Sequence, residues 1–209
     1  MNIDAGKYNK GKKLPVVEEF YTLQGEGHNM GKAAYFLRIG GCDVGCSWCD
    51  TKLSWNPELH PAIEIDNILE NIKNCPAKSV VITGGEPLMF NLDYLCDQLK
   101  HEGIETFIET SGVHSFSGTW DWICLSPKRH SVTQDIYFSN ANELKIIIAE
   151  KEDFEWAVEN SKRVNNDCYL YLQPEWSRHK EMIPLIVDFI KENPEWRISL
   201  QAHKYMRIP

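Results

Sequence analysis

Six times along this chain a short, nearly continuous apolar run ends in glycine or polar residues and gives way to a stretch with helical spacing or to a polar loop. The runs are AAYFLRIG (33–40), SVVITGG (79–85), ETFIET (105–110), WICLSP (122–127), ELKIIIA (143–149) and CYLYLQP (168–174). Apolar runs of this length without strict alternation are what strands covered on both faces look like. Between them, amphipathic patterns predict helices over 64–74, 91–102, 152–165 and 178–192, with Pro57, Pro61, Gly103 and Pro194 as breaks. Strand, helix and strand in succession build parallel βαβ units. Six units fall short of the eight that close a full barrel. The segments 111–121 and 127–142, rich in Ser, Gly, Asn and His, predict trimmed crossovers. The fold expected is therefore α/β, an incomplete and partly open (β/α)6 barrel, with an early strand over 16–24 and a late one over 197–201.

At 209 residues the chain is long enough for one full core, so a single domain is expected over 14–209, preceded by a flexible extension over 1–13. A net charge of −8 argues against nucleic acid as a partner, since phosphate contacts need clustered cations. No apolar stretch approaches the roughly 20 residues that span a bilayer, and the opening MNIDAGKYNKGKK lacks the apolar core of an export signal. A cytoplasmic protein without a membrane partner is expected. Seven cysteines then read as reduced thiols or metal ligands rather than as disulfides. Cys96, on a predicted helix, and Cys124 and Cys168, on predicted strands, read as packing residues.

The unusual polar clusters follow strands: GGCDVGCSWCDT the first, GGEP the second, ETSG the third, SPK the fourth and QPEW the sixth. In parallel α/β barrels the loops at that end of the sheet converge on the ligand, so these clusters should share one mouth. Cys42, Cys46 and Cys49 put three thiols within eight residues, in a loop loosened by Gly40, Gly41 and Gly45. Four-iron clusters usually take four thiolates, and no fourth cysteine is near, so one iron would stay open to an outside ligand. The rival is a structural zinc site in a non-enzymatic module, with His28 or His60 as the missing ligand. A colourless, zinc-containing protein would decide for it.

With its aromatic Trp48 before the last cysteine, this triad resembles the signature of the radical S-adenosylmethionine (SAM) enzymes. The resemblance implies a [4Fe-4S] cluster on Cys42, Cys46 and Cys49 whose open iron is chelated by SAM, reduced by an electron donor such as flavodoxin or ferredoxin, to give a 5′-deoxyadenosyl radical. It also implies cofactor contacts from Trp48, Cys49 and Asp50, from Gly84, Gly85 and Glu86 around the methionine amino group, and from Ser126, Pro127 and Lys128. Gln173, Pro174, Glu175 and Trp176 complete that set, although the tryptophan in QPEW, like the extra stretch through Lys13, departs from the usual pattern of the family.

Within the family, FYTLQGEG (20–27), FLR (36–38), CDT (49–51) and a tail running to Pro209 resemble enzymes that contract 6-carboxy-5,6,7,8-tetrahydropterin to 7-carboxy-7-deazaguanine, releasing ammonia. That resemblance implies a pterin held by Leu23, Gln24, Gly25, Glu26, Arg38, Thr83, His203 and Pro209, with Mg²⁺ on Thr51 and a homodimeric assembly. Arg38 interrupts an apolar run and needs an anionic partner, either the substrate carboxylate or Glu26. Asp50 is expected to serve its loop as a hydrogen-bond acceptor, and Glu109 has no assigned role. A second enzymatic reading is an activating enzyme that draws a hydrogen atom from a glycine of a partner protein. Deoxyadenosine formed together with a protein radical would favour it.

Overall fold

Strand β1 (Lys13–Leu23) turns back on β2 (Ala33–Ile39) as an antiparallel pair, in which Glu18 lies opposite Arg38 and Leu23 opposite Ala33. The computed structural model describes residues 7–209. A short β3 (Ala62–Glu64) pairs with the start of β1 and leads into α1 (Ile65–Lys73). Strand β4 (Ser79–Gly84), α2 (Asp93–His101), β5 (Glu105–Thr110) and β6 (Trp122–Leu125) follow. Then come α3 (Asp135–Asn140), β7 (Glu143–Ile148), α4 (Glu152–Ser161) and β8 (Tyr169–Pro174). The chain finishes with α5 (His179–Glu192), β9 (Trp196–Ile198) and α6 (Ala202–Met206).

All nine strands join one mixed sheet in the order β3-β1-β2-β4-β5-β6-β7-β8-β9, parallel from β2 onward. The six expected strands are all present. Among the described residues three elements were not expected, β3, α3 and α6. Helix α3 sits in the polar segment 127–142 because Tyr137 and Phe138 are buried almost completely, so tertiary packing overrides a weak local preference.

The two faces of the strands carry different chemistry. On one face Leu37, Ile39, Val80, Ile82, Leu144, Ile146 and Ile148 join the main core with the helices. Helix α1 contributes Ile65, Ile68, Leu69 and Ile72 at helical spacing, each stabilising by about 1.5–3 kcal/mol relative to exposure. On the other face Phe36 and Arg38, Thr83, Glu109, Lys145 with Ile147, and Gln173 line a cavity. Cys96 and Cys124 are buried as expected.

Within the extension expected to be flexible through Lys13, Tyr8 and Gly11 are buried. Tyr8 is 3% exposed and meets Phe90 edge to face at 4.9 Å, and Lys13 already belongs to β1. Residues 1–6 lie outside the described residues. No helix among the described residues is long and apolar enough to cross a membrane.

Candidate active site

A cavity of about 300 Å³ opens at the ends of the parallel strands and reaches down the inner face of the sheet. Its lining collects Leu23 to Glu26, Arg38, the three loop cysteines, Trp48, Asp50 and Thr51 from the first third of the chain. Thr83 to Glu86, Ser126, Lys128, Gln173 to Trp176, His203 and Pro209 also line it. Of the residues expected at the site, Pro127 alone is absent from this lining. It is buried, two residues beyond the end of β6.

The cysteine loop is tied at several points. Gly41 N donates to Ser54 O at 2.6 Å and Cys42 N to Trp55 O at 3.0 Å. His130 reaches Val44 O at 2.9 Å, and His114 pairs with Asp43 at 2.9 Å. Cys49 Sγ accepts from the backbone of Thr51 and from the indole of Trp55, each at 3.4 Å. Burial pushes the Cys42 and Cys46 thiols up. Gly85 lies so close under the loop that a Cβ there would stand 2.2 Å from Gly41 O and 2.8 Å from Cys42 Cβ. Among the described residues no three His, Cys, Asp or Glu side chains converge on a point where a single ion would sit.

Several expected ligands prove to be committed within the protein. Glu86 is 1% exposed, and its carboxylate accepts from Thr110 Oγ1 at 2.6 Å and from Ser111 N and Oγ at 2.8 and 2.6 Å. Its side chain therefore clamps the end of β4 to the end of β5. Glu175 caps a short turn, accepting from Ser177 N at 3.0 Å and Arg178 N at 3.1 Å. Gln173 accepts from Ser199 Oγ at 2.6 Å. Arg38 donates through Nε to Glu18 across the β1–β2 pair at 2.7 Å, so the alternative pairing with Glu26 does not form. Asp50 accepts from Lys204 at 2.8 Å and Gln201 at 3.3 Å and lies well placed as a loop acceptor. Burial opposes its charge, but these donors outweigh it and hold the carboxyl below its ordinary range.

Trp176 presents its ring to the cavity with His179 stacked behind it at 4.8 Å and Lys204 Nζ 4.6 Å from the ring centre. Lys128 donates to Ser126 O and Oγ at 2.6 and 2.7 Å and lies 5.6 Å from the Trp48 ring. Burial lowers its pKa. At the other end Gly25 O accepts from Ala202 N at 2.8 Å, and a Cβ on Gly25 would fall 2.3 Å from His203 Nδ1. Burial lowers the pKa of His203.

The floor holds a group the sequence did not single out. Lys145, 3% exposed, reaches Glu26 Oε2 at 2.6 Å and Glu109 Oε2 at 2.7 Å. Gln24 Nε2 donates to Glu109 Oε1 at 3.3 Å, and Gln201 Nε2 to Glu26 Oε1 at 3.0 Å. Burial works against the Lys145 ammonium, yet the neighbouring Cys124, Glu109 and Glu26 raise its pKa well above the usual lysine value.

This arrangement has close relatives. The Radical SAM superfamily model matches residues 37–165. A 7-carboxy-7-deazaguanine synthase of Flavobacterium psychrophilum is 52% identical over 96% of this chain and 95% of its own. One from Synechocystis is 43% identical over 93% of each. The chain belongs to the 7-carboxy-7-deazaguanine synthase family of radical SAM enzymes. A crystal structure of QueE from Escherichia coli superposes with a TM-score of 0.80 at 31% identity, covering 97% of this chain and all of that one.

Membership of the radical SAM superfamily implies a four-iron cluster and SAM, and the donor set present suits them. Three free thiols share one loop and one cavity, two N–H groups are aimed at Cys49 Sγ, and Gly85, lacking a side chain, lets the end of β4 pack directly under Cys42. Membership also sets aside the zinc-module reading and the protein-activating reading. What the sequence left unseen in this synthase-family site is Lys145, Gln201 and Trp55, whereas Thr110 and Ser111 belong to the ETSG cluster expected at the mouth. The signal for Lys145 was present in ELKIIIA, where Glu143, Lys145 and Ile147 share the face opposite Leu144, Ile146 and Ile148.

Proposed function

We propose that this chain is a radical SAM lyase that converts 6-carboxy-5,6,7,8-tetrahydropterin to 7-carboxy-7-deazaguanine, with ring contraction and loss of ammonia, on the route to queuosine and other 7-deazapurines. The observation that carries this reading is one cavity in which three loop thiols face a hydrogen-bonding floor of Gln24, Glu26, Glu109 and Lys145. The full-length likeness to the relatives above supports it.

When bound, the cluster and SAM supply a 5′-deoxyadenosyl radical able to take a hydrogen atom from the substrate. The chain binds, orients and encloses. Cys42, Cys46 and Cys49 would hold the cluster. Gly84 and Gly85 bring backbone close to the cysteine loop, Gly84 at a φ of 143° that only glycine adopts freely. Ser126, Lys128, Pro174 and the Trp176 ring form the wall for the nucleoside end of SAM. Leu23, Gln24, Gly25 and Glu26 read the pyrimidine edge of the pterin, and Thr83, His203 and Pro209 confine it. Arg38, with Glu18 holding only its Nε in the bonds seen, attracts the substrate carboxylate. The Thr51 hydroxyl, 3.2 Å from Asp50 Oδ1, would hold Mg²⁺, a hard cation suited to oxygen ligands.

The same reading includes a cytoplasmic homodimer reduced by a flavodoxin or ferredoxin, and a sheet curled into a partial barrel. Supporting the curl, Gly27 N donates to Ser199 Oγ at 2.9 Å and Ala202 N to Gly25 O, so the loop after β1 meets the segment after β9. Anaerobic incubation of the reconstituted protein with SAM, reductant, Mg²⁺ and 6-carboxytetrahydropterin tests the assignment. A deazaguanine product is expected, and SAM cleavage without that product would refute it.

A further inference from the structure

We propose that Lys145 is a positioning residue for substrate, its buried ammonium fixing Glu26 and Glu109 as a pair of ionised acceptors for the N–H edge of a 2-amino-4-oxopyrimidine ring. This rests on the reading that a pterin occupies the cavity. The three side chains come from three separate places, the loop after β1, β5 and β7, and meet at a single nitrogen, Lys145 Nζ, at 2.6 and 2.7 Å. Each carboxylate is also steadied at its other oxygen by a neutral amide, Gln201 for Glu26 and Gln24 for Glu109. A carboxylate offers about four lone-pair sites, so each keeps acceptor capacity for a ligand after these bonds are made.

Charge balance gives the floor a direction. One ammonium against two carboxylates leaves a net negative floor, which welcomes an edge made of donors and repels a carboxylate. A carboxylated pterin therefore enters with its N3–H and 2-amino group down and its acid toward Arg38. The other titratable groups facing this set do not cancel that charge. Glu143, two residues before Lys145, is buried and held toward its neutral form by burial, as are the Cys124 thiol beside it and His203 from α6. Asp50 is matched by Lys204 at the rim. Lys128 lies across the cavity, where burial also disfavours its charge.

Without the ammonium, two half-buried carboxylates sharing a site repel one another, which pushes one toward its protonated form. An acceptor then becomes a donor facing a donor. In the anaerobic holoenzyme, K145M should raise the KM for 6-carboxytetrahydropterin by about 10- to 100-fold, the cost of losing a charged hydrogen bond. KM should fall again as the pH is raised through the neutral range, while kcat changes less, and K145R should restore a flat profile. Iron content and SAM-dependent deoxyadenosine formation report that each variant is folded and loaded. A K145M enzyme with the wild-type KM, or with a raised KM that ignores pH, overturns the role of Lys145. Should K145M give no folded holoenzyme, E26Q and E109Q carry the test. Each leaves Lys145 with one carboxylate, and each should raise KM without pH dependence; an unchanged KM in both overturns the proposal. Wild-type enzyme that cleaves SAM but never turns over pterin refutes the pterin reading itself, a different failure from a K145M profile that matches wild type.

Discussion

Replacing Glu86 by Gln tests whether the GGEP segment works through its carboxylate or only through its backbone. The carboxylate accepts four bonds. Oε2 takes Ser111 N and Ser111 Oγ, while Oε1 takes Thr110 Oγ1 and, at 3.3 Å, Leu88 N. An amide must turn its NH2 toward one of these pairs. Facing Ser111 would set it against the Ser111 N–H at 2.8 Å, so the tolerable orientation faces Thr110, whose hydroxyl can rotate to accept, and the more distant Leu88 N–H at 3.3 Å. Leu88 N is then orphaned and the remaining bonds lose their charge assistance. Charged bonds contribute about 1.5–3 kcal/mol and neutral ones about 0.5–1.5, so the change should cost about 2–4 kcal/mol. For a chain of this length that is a fall in melting temperature of about 4–16 °C. Thermal and urea unfolding of the cofactor-free protein, followed by circular dichroism, measure it. The same clamp seats the cysteine loop, because Gly85 N donates to Ile39 O at 3.0 Å and Glu86 N to Gly41 O at 2.7 Å. E86Q should therefore also retain less iron after reconstitution. Stability within about 0.5 kcal/mol of wild type, the usual range for an inconsequential surface change, would refute the clamp.

G25A should lower kcat/KM for the pterin by about 100-fold, the scale of a misplacement near 1 Å, because the new methyl collides with His203 and displaces α6. SAM cleavage in the same sample should persist. W55F removes an N–H donor from Cys49 Sγ and should make the cluster harder to reduce, read as a more negative midpoint in an anaerobic redox titration followed by electron paramagnetic resonance. E143Q should be well tolerated, since an amide can keep its oxygen on His28 N and Trp122 Nε1 and turn its nitrogen to Cys124. Burial raises the pKa of Glu143, so the folded wild type resists its ionisation and loses stability as pH rises from the unfolded-state pKa through the folded one. The stability of E143Q relative to wild type should therefore grow with pH over that interval, as denaturant titrations at two pH values would show.

The parts of the fold written in the order of residues were legible. Apolar runs gave the parallel strands, helical spacing gave α1, α2, α4 and α5, and the position of each polar cluster just after a strand gathered the site's residues into one cavity. Helix α3 escaped because DIYFSN has no surface periodicity and is held by two aromatic side chains reaching the core. Side-chain pairing was the other blind spot. Arg38 announced itself as a charge in an apolar run, yet its partner Glu18 is fixed by the register of β1 against β2, which no local pattern reveals. Lys145 was just as conspicuous, but its partners lie 119 and 36 positions away, and only the assembled tertiary structure brings them together.

The bonds between the start and finish of the chain have a temporal consequence. Gly27 is joined to Ser199 across 172 positions, and Glu26 to Gln201 across 175, and links of such span form late because a long loop must be closed first. The partners that tie the cysteine loop end at His130, so during synthesis on the ribosome this chain acquires somewhere to seat inorganic sulfur and iron before it has anywhere to seat a pterin.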